Sequence, residues 1–231
     1  MGGTGAQRAG ALPSAAPADR HAVPRRRMAE RLARSGVNDP RVLAAFASVP
    51  RHRLLPDALE GQAYRDVALP IGHGQTISAP GVVAAMTQAL ELAGHETVLE
   101  VGTGSAYQSA ILARLAARVV SIERVPRLAA SARRALDALG VSNVVVYLGD
   151  GTRGRPVDAP FDAIIVTAGG PSVPEPLLAQ LALGGRLVGP FGEREEQRLC
   201  RIRRVSETHY TREVIGRCRF VDLVGAHGWE R

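Results

Sequence analysis

The sequence contains no lysine, since all 29 basic residues of its 231 are arginine. Such uniform use of one basic residue indicates a genome-wide codon bias rather than selection at one site. Residues 1–56 contain 10 arginines and 3 acidic residues, whereas residues 57–231 contain 19 of each. The net charge of +7 therefore lies in the N-terminal part, notably at residues 25–27. A nucleic-acid surface would be expected on the body of the molecule, so we expect no nucleic-acid partner.

Long apolar runs and closely spaced cysteines are missing too. No segment reaches the roughly 18 apolar residues that span a bilayer, and the N-terminal residues lack the apolar core of a signal peptide. The two cysteines, Cys200 and Cys218, are far apart in the sequence and form no CxxC pair. We therefore expect a cytoplasmic chain with reduced thiols and no membrane contact.

The length and the hydrophobic content of 45% are typical of one buried globular domain. Residues 1–24 are rich in Gly, Ala and Pro and are predicted to form a disordered tail. Residues 25–231 are predicted to form a single domain. Within it, residues 25–93 would be a helical region with a substrate loop, and residues 94–231 a cofactor-binding sheet.

Apolar spacing and breaker residues predict an alternation of helices and strands. Helices are predicted at 25–33, 40–47, 82–92, 106–117, 126–139 and 176–183. Strands are predicted at 97–101, 118–122, 144–148, 161–166 and 186–189, with further strands between about 198 and 224. This order implies an α/β fold with a doubly wound, mostly parallel sheet that has an antiparallel end.

The segment from Gly72 to Pro80 is unusually rich in polar groups and glycine. It reads Gly-His-Gly-Gln-Thr-Ile-Ser-Ala-Pro, and two glycines and a proline exclude a helix. Because the segment is too polar for a buried strand, we predict a structured loop that binds a ligand. Ser78 also precedes a predicted helix, so a helix N-cap is its alternative role.

A second glycine-containing loop follows the first predicted strand of the sheet. Gly102, Thr103 and Gly104 form the turn, and Glu123 lies 21 residues beyond Gly102, where a ribose-binding acid is expected. The loop is not a dinucleotide motif, because Tyr107 replaces its third glycine.

Two further acids narrow the choice of cofactor. Glu100 precedes the loop and would repel a pyrophosphate, but it could lie near an ammonium or sulfonium group. Asp150 and Gly151 form a polar turn suited to an adenine amino group. S-adenosylmethionine fits these residues and NAD does not. The predicted cofactor-binding residues are Glu100, Gly102, Thr103, Gly104, Glu123, Asp150 and Gly151.

Over about residues 28–231 the chain resembles the protein-L-isoaspartate O-methyltransferases. The matching segments are VPRHR (49–53), GHGQTIS (72–78), the loop at 98–105, GDG (149–151), PFDAIIVT (160–167), GGRL (184–187) and RFVDLVG (219–225). The loop at 98–105 is common to many methyltransferases, whereas the segment at 72–78 is far more specific. The family usually has a glycine where this chain has Ala106, and alanines where it has Gly169 and Gly170.

The resemblance implies a Rossmann-like methyltransferase fold and methyl transfer to the free α-carboxylate of L-isoaspartyl residues in damaged proteins and peptides. Such a carboxylate is ionised at pH 7, so no general base is needed. Ser78, with Thr76, is the catalytic candidate, and the substrate-binding candidates are His73, Gln75, Thr76 and Ser78. A monomer without a metal ion is expected.

Other functions remain open at the level of the sequence. A carboxyl methyltransferase that tailors a biosynthetic peptide would use the same chemistry. A nucleic-acid methyltransferase would use the basic N-terminal arm, but this sequence lacks the Asn/Asp-Pro-Pro-aromatic signature of base recognition. A non-enzymatic sensor of S-adenosylmethionine is the third alternative.

Overall fold

Two helices begin the part of the chain that the computed structural model describes, residues 19–230. They are α1 (Ala22–Arg34) and α2 (Pro40–Ser48), and two short 3-10 helices follow at Arg51–Leu54 and Asp57–Gln62. The carboxylate of Asp39 caps α2 by accepting a hydrogen bond from the backbone of Arg41. Residues 1–18 of the predicted tail lie outside the described residues. Of its remaining residues, 19–21 precede α1 and 22–24 form the first residues of that helix.

A short antiparallel hairpin lies where the sequence predicts a loop. Its strands are β1 (Leu69–Gly72) and β2 (Gln75–Ile77), and α3 (Pro80–Ala89) follows. Leu69 pairs with Ile77, and both side chains are buried, which anchors the base of the hairpin. The prediction of a loop is therefore wrong for Gly72 and for residues 75–77, which belong to strands. Strand β2 is not a buried strand, since only Ile77 of its three side chains is buried, and only one face of the hairpin needs to be apolar.

A seven-stranded sheet forms the centre of the structure in the order β5-β4-β3-β6-β7-β8-β9. The pairs from β5 to β7 are parallel, and the pairs β7–β8 and β8–β9 are antiparallel. The predicted mostly parallel sheet with an antiparallel end is confirmed. The strands are β3 (Thr97–Val101), β4 (Arg118–Glu123), β5 (Val144–Leu148), β6 (Phe161–Val166), β7 (Leu181–Gly192), β8 (Gln197–Arg204) and β9 (Tyr210–Cys218).

Three further helices connect the parallel strands: α4 (Tyr107–Leu112), α5 (Pro126–Ala138) and α6 (Glu175–Ala179). Two of them are shorter than the sequence predicts. The chain after α4 turns back where the side-chain amide of Asn143 donates to the carbonyls of Ala113 and Ala116, both at 3.1 Å. After α6, Leu181 already pairs with Phe161 as a strand residue.

Apolar residues pack on both faces of the sheet, as its doubly wound order requires. One face is covered by α1 to α5, and the other by a smaller cluster that includes Leu177 of α6 and Leu223. Strand β3 lies between β4 and β6. The chain adds β4 and β5 on one side of β3 and then returns to add β6 on the other side, so the strand order reverses at β3. Ligands of such folds bind at this switch point, beyond the carboxyl ends of the strands. Within residues 19–230, no helix is long and apolar enough to cross a membrane.

Candidate functional site

A cavity of about 390 Å³ opens at the carboxyl ends of β3, β4 and β6, which is within the usual range for a small-molecule site. The loops after these strands form one wall, and β2 with Ser78 and part of α3 forms another. We call residues 101–105 and 122–125 the cofactor wall, and residues 69–78 the substrate hairpin. The C-terminal segment 220–224 closes a further side.

The turn of the cofactor wall depends on glycine at position 102. Gly102 has φ +98°, and a Cβ there would collide with the hydroxyl of Thr167. That hydroxyl lies 2.9 and 2.6 Å from the carbonyls of Val101 and Gly102, which share its single proton. Thr167 therefore ties the loop after β3 to the end of β6.

Ala106 occupies the position where the resemblance leads us to expect a glycine. Its φ of +68° lies in the left-handed region, which costs a residue with a Cβ about 1–2 kcal/mol. Its backbone N–H still donates to the carbonyl of Thr103 at 2.9 Å, and α4 begins at the next residue. The alanine is thus accommodated with some backbone strain and without loss of the turn.

Glu123 ends β4 with its carboxylate fixed by the cofactor wall itself. Oε2 accepts a hydrogen bond from the backbone of Gly104 at 2.9 Å, and Oε1 accepts one from Val125 at 2.8 Å. Its side chain lines the cavity and keeps free lone pairs on both oxygens. This arrangement can accept the two hydroxyl groups of a ribose.

Glu100 lies beneath the cofactor wall rather than at the cavity surface, where the sequence suggested that it would meet the ligand. It is fully buried, and its Oε2 accepts from the hydroxyls of Ser109 and Ser121 at 2.5 and 2.6 Å. Thr103 lies 2.6 Å from the Ser121 hydroxyl, and Thr103 lines the cavity. Glu100 therefore connects to the site through two hydroxyl groups.

Burial raises the pKa of Glu100 to about 7, against the lowering effect of the two serine hydroxyls. Its Oε1 has no hydrogen-bond partner within residues 19–230. Because this pKa lies near neutral pH, a charge brought into the cavity changes the ionised fraction of Glu100. A cationic ligand would favour the ionised form.

Asp150 is engaged with the C-terminal segment and does not line the cavity, although Gly151 does. Its Oδ1 accepts from the backbone and hydroxyl of Thr152, at 2.9 and 2.6 Å, and its Oδ2 accepts from Ala226 at 2.8 Å. Burial would raise the pKa of Asp150, but these hydrogen bonds outweigh it and hold that pKa below its usual value. The side chain thus fixes the chain that closes the cavity, a role that the sequence did not indicate.

Three of the four predicted substrate-binding residues line the cavity: Gln75, Thr76 and Ser78. The fourth, His73, is exposed at the hairpin turn with φ +55° and lies outside the cavity lining. A turn tip pointing to solvent is compatible with contact to a large protein substrate, but not with contact to the cofactor wall.

The alternative role of Ser78 as a helix cap is wrong. The N-cap of α3 is Ala79, which has no side-chain cap. Instead, the carboxylate of Asp66 accepts from the backbone of Gly81 at 2.7 Å. Within residues 19–230 the hydroxyl of Ser78 makes no hydrogen bond to the protein, so it is available to a ligand.

Sequence reasoning assigned no role to Thr167 or to residues 220–224, which also line the cavity. Both lie in segments that carry the family resemblance, 160–167 and 219–225. The second of these is far from the other motifs in sequence. Their place in segments that match the family was the signal from which a role at the site could have been predicted.

The residues of the cavity fit S-adenosylmethionine. Glu123 offers fixed acceptors for ribose hydroxyls, Val101 and Ile122 offer apolar surface, and Glu100 has an unpartnered buried oxygen behind Thr103. The parallel sheet, its glycine turn and this acid at the end of β4 are those of a nucleoside-cofactor site. With Tyr107 where a dinucleotide motif has its third glycine, they point to an S-adenosylmethionine-dependent methyltransferase.

Comparison with known proteins identifies the particular family. The model of the family "Protein-L-isoaspartate(D-aspartate) O-methyltransferase (PCMT)" matches residues 24–228. The chain belongs to the protein-L-isoaspartate O-methyltransferase family. The resemblance seen in the sequence, the predicted enzyme class and the predicted cofactor are thereby confirmed.

Individual relatives agree with this assignment. A protein-L-isoaspartate O-methyltransferase of Syntrophus aciditrophicus is 53% identical over 214 residues, which cover 91% of this chain and 98% of the relative. One of Geobacter metallireducens is 53% identical over 208 residues, covering 90% and 96%. A solved protein-L-isoaspartate O-methyltransferase has a TM-score of 0.80 at 29% identity, covering 88% of this chain and 67% of that chain.

Proposed function

We propose that the chain repairs damaged proteins and peptides by methylating the free α-carboxylate of L-isoaspartyl residues, with Ser78 and Thr76 as the residues that hold this carboxylate. The observation that carries the proposal is that both residues line the same cavity as the cofactor wall. Membership of the family supports the choice of substrate.

The chemistry requires little of the protein beyond placement. S-adenosylmethionine, when bound, supplies an electrophilic methyl group on a sulfonium. The acceptor carboxylate has a pKa of roughly 3.5 and is already ionised at neutral pH, so no residue has to remove a proton. Placing such a weak nucleophile in line with the methyl group can contribute on the order of 7–11 kcal/mol.

Neutral donors suit this reaction. The hydroxyls of Thr76 and Ser78 can each donate a hydrogen bond to the carboxylate oxygen that does not attack the methyl group. They can also donate to a lone pair of the attacking oxygen that does not take part in the reaction. A direct salt bridge would stabilise the negative charge that the reaction consumes, and would therefore favour the ground state over the transition state. Gln75 and the exposed turn at His73 would contact the flanking chain of the substrate.

The methyl ester is expected to leave the enzyme before repair is complete. The backbone amide nitrogen that follows then attacks the ester carbonyl and expels methanol. The resulting succinimide opens by hydrolysis, partly to normal aspartate.

Finer features of the proposal have separate support. One chain supplies all the described walls of the cavity, in keeping with a monomer. Both cysteines are free thiols, in keeping with the cytoplasm. The neutral charge of residues 57–231 is in keeping with a protein substrate and no nucleic acid. We also propose a single domain whose residues 25–93 carry the substrate hairpin and whose residues 94–231 carry the cofactor wall.

The decisive experiment is methyl transfer from radiolabelled S-adenosylmethionine to an isoaspartyl peptide and to the matched aspartyl peptide. We expect label on the isoaspartyl peptide only. Equal labelling of the two peptides, or none, would contradict the repair function. Labelling restricted to one peptide sequence would instead favour the tailoring of a dedicated substrate.

A further inference from the structure

Arg51 is a fully buried cation whose hydrogen bonds go to backbone carbonyls alone. Its Nε donates to Ala63 at 2.7 Å, one terminal nitrogen donates to Ser78 at 2.8 Å, and the other donates to Val67 at 3.2 Å. Arg51 takes part in none of the salt bridges formed within residues 19–230.

Such a placement is costly to folding. An arginine without a carboxylate partner loses its hydration on burial, and an apolar side chain of similar volume would often be more stable there. Burial lowers the pKa of Arg51 to about 10, so the group is still a cation at neutral pH. The guanidinium also lies over the ring of Tyr107, 4.8 Å from its centroid, which recovers part of the cost.

Two of the four groups in contact with this cation belong to the wall of the site. Ser78, whose carbonyl accepts one hydrogen bond, and Tyr107, whose ring faces the guanidinium, line the cavity. The other two carbonyls, of Ala63 and Val67, belong to the segment that leads into β1. The guanidinium therefore joins the segment before the substrate hairpin to the last residue of that hairpin.

We propose that Arg51 is a positioning residue for methyl transfer: it fixes the backbone of Ser78 at the carboxylate-binding wall and supplies positive potential there without touching the substrate. This inference rests on the proposed function. It explains how an anionic acceptor is attracted to a wall of neutral hydroxyls, because the cation is hydrogen-bonded to the backbone carbonyl of Ser78. The acceptor oxygen consequently keeps its nucleophilic charge.

The test compares Arg51→Met and Arg51→Lys with Arg53→Met as the matched control. Arg53 belongs to the same 3-10 turn, but it is exposed, and within residues 19–230 its guanidinium donates only to the carbonyl of Ala138. Kinetics with the isoaspartyl peptide give kcat and KM. Calorimetry with S-adenosylhomocysteine gives the affinity of the cofactor wall, and hydrogen exchange reports the mobility of residues 69–81.

We expect Arg51→Met to lower kcat/KM about 100-fold, since a shift of about 1 Å in a positioning element has that effect. Arg51→Lys keeps the charge but not the forked geometry, so kcat should fall while KM stays near that of the unaltered chain. Exchange of residues 69–81 should accelerate in both variants. The affinity for S-adenosylhomocysteine should change less than about threefold, and Arg53→Met should change nothing.

Two results would overturn the proposal. One is a folded Arg51→Met with kcat/KM within twofold of the control. The other is loss of cofactor binding and of secondary structure in both Arg51 variants, which would assign the residue to fold stability. An unaltered chain that binds S-adenosylhomocysteine but labels no isoaspartyl peptide would instead contradict the proposed function itself.

Discussion

The cofactor wall and the substrate hairpin face the same cavity, but groups of opposite charge hold their backbones. On the cofactor wall, the carboxylate of Glu123 accepts hydrogen bonds from two backbone N–H groups. In the substrate hairpin, the guanidinium of Arg51 donates to the carbonyl of Ser78 and to two carbonyls before β1. Each region thus carries the charge opposite to that of its proposed ligand, a sulfonium on one side and a carboxylate on the other.

The two regions also differ in how deeply they are buried. Strands β3 and β4 lie inside the sheet with nearly all side chains buried, whereas β2 has only Ile77 buried. Rigid placement of the cofactor and a more exposed platform for the substrate suit an enzyme whose acceptor is part of another protein. If this division is correct, a substitution in the cofactor wall should leave the substrate hairpin unchanged, and a substitution in the substrate hairpin should leave cofactor binding unchanged.

The largest effect is expected from Glu123→Gln, on the cofactor side. The amide keeps one oxygen, so one of the backbone N–H groups of Gly104 and Val125 loses its acceptor, and the charged acceptor for the ribose is lost as well. Hydrogen bonds to charged groups contribute roughly 1.5–3 kcal/mol. The dissociation constant of S-adenosylhomocysteine should rise about 30- to 100-fold in calorimetry.

The control for that variant is the hydrogen exchange of the substrate hairpin, residues 69–78, which should match that of the unaltered chain. Faster exchange there would show that the two regions are coupled and that their separation is wrong.

A smaller effect is expected from Ser78→Ala, on the substrate side. The hydroxyl makes no hydrogen bond within residues 19–230, so its removal should hardly change the free energy of unfolding. Loss of one hydrogen bond to the carboxylate should lower kcat/KM for the isoaspartyl peptide about 10-fold. Cofactor affinity should be unchanged in the same calorimetric assay. Activity equal to that of the unaltered chain would exclude Ser78 from the reaction.

The smallest effect on binding and activity is expected from Glu100→Gln, which should instead change how stability depends on pH. Because its pKa is raised from 4.5 to about 7, folded Glu100 keeps a proton that the unfolded chain has already released between these values. The free energy of unfolding should therefore fall as pH rises through this window, by up to about 1.4 kcal/mol per pH unit from this group, and then level off.

The glutamine keeps the neutral form at every pH and should remove this decline. Urea unfolding at several pH values from 5 to 8 measures the free energy of unfolding, with Glu195→Gln at an exposed position as the matched control. If the decline with pH persists in Glu100→Gln, the titration of other groups causes it.

Much of the fold followed from local patterns. Strands β3, β5 and β6 lie at the predicted residues, because short apolar runs between turn residues have few alternative structures. The glycine turn and Glu123 were predicted for the same reason, since both are fixed by their distance from β3. The helices were predicted less well at their ends, as α4 shows, because a side chain 30 residues away contributes to ending it.

The candidate site was predicted in outline, with errors where contacts are long-range. Glu100 was expected at the cavity surface, but the packing of α4 against β3 buries it with Ser109. Asp150 was expected at the cofactor, but its carboxylate binds Ala226, 76 residues away. No spacing rule links residues so distant, because their approach depends on how the last segment crosses the end of the sheet.

By itself the sequence determined the order of the helices and of the strands of the central sheet, the class of cofactor and the family, because periodicity, glycine positions and short motifs act within a few residues. The tertiary structure alone decided that Ser78 is free of the helix cap and that Arg51 lies behind it. Arg51 and Ser78 are 27 residues apart, so their contact and the complete burial of Arg51 depend on packing that no local pattern specifies. Because this burial excludes water from the cation, its three hydrogen bonds to the backbone are the basis of the proposed positioning of the substrate hairpin.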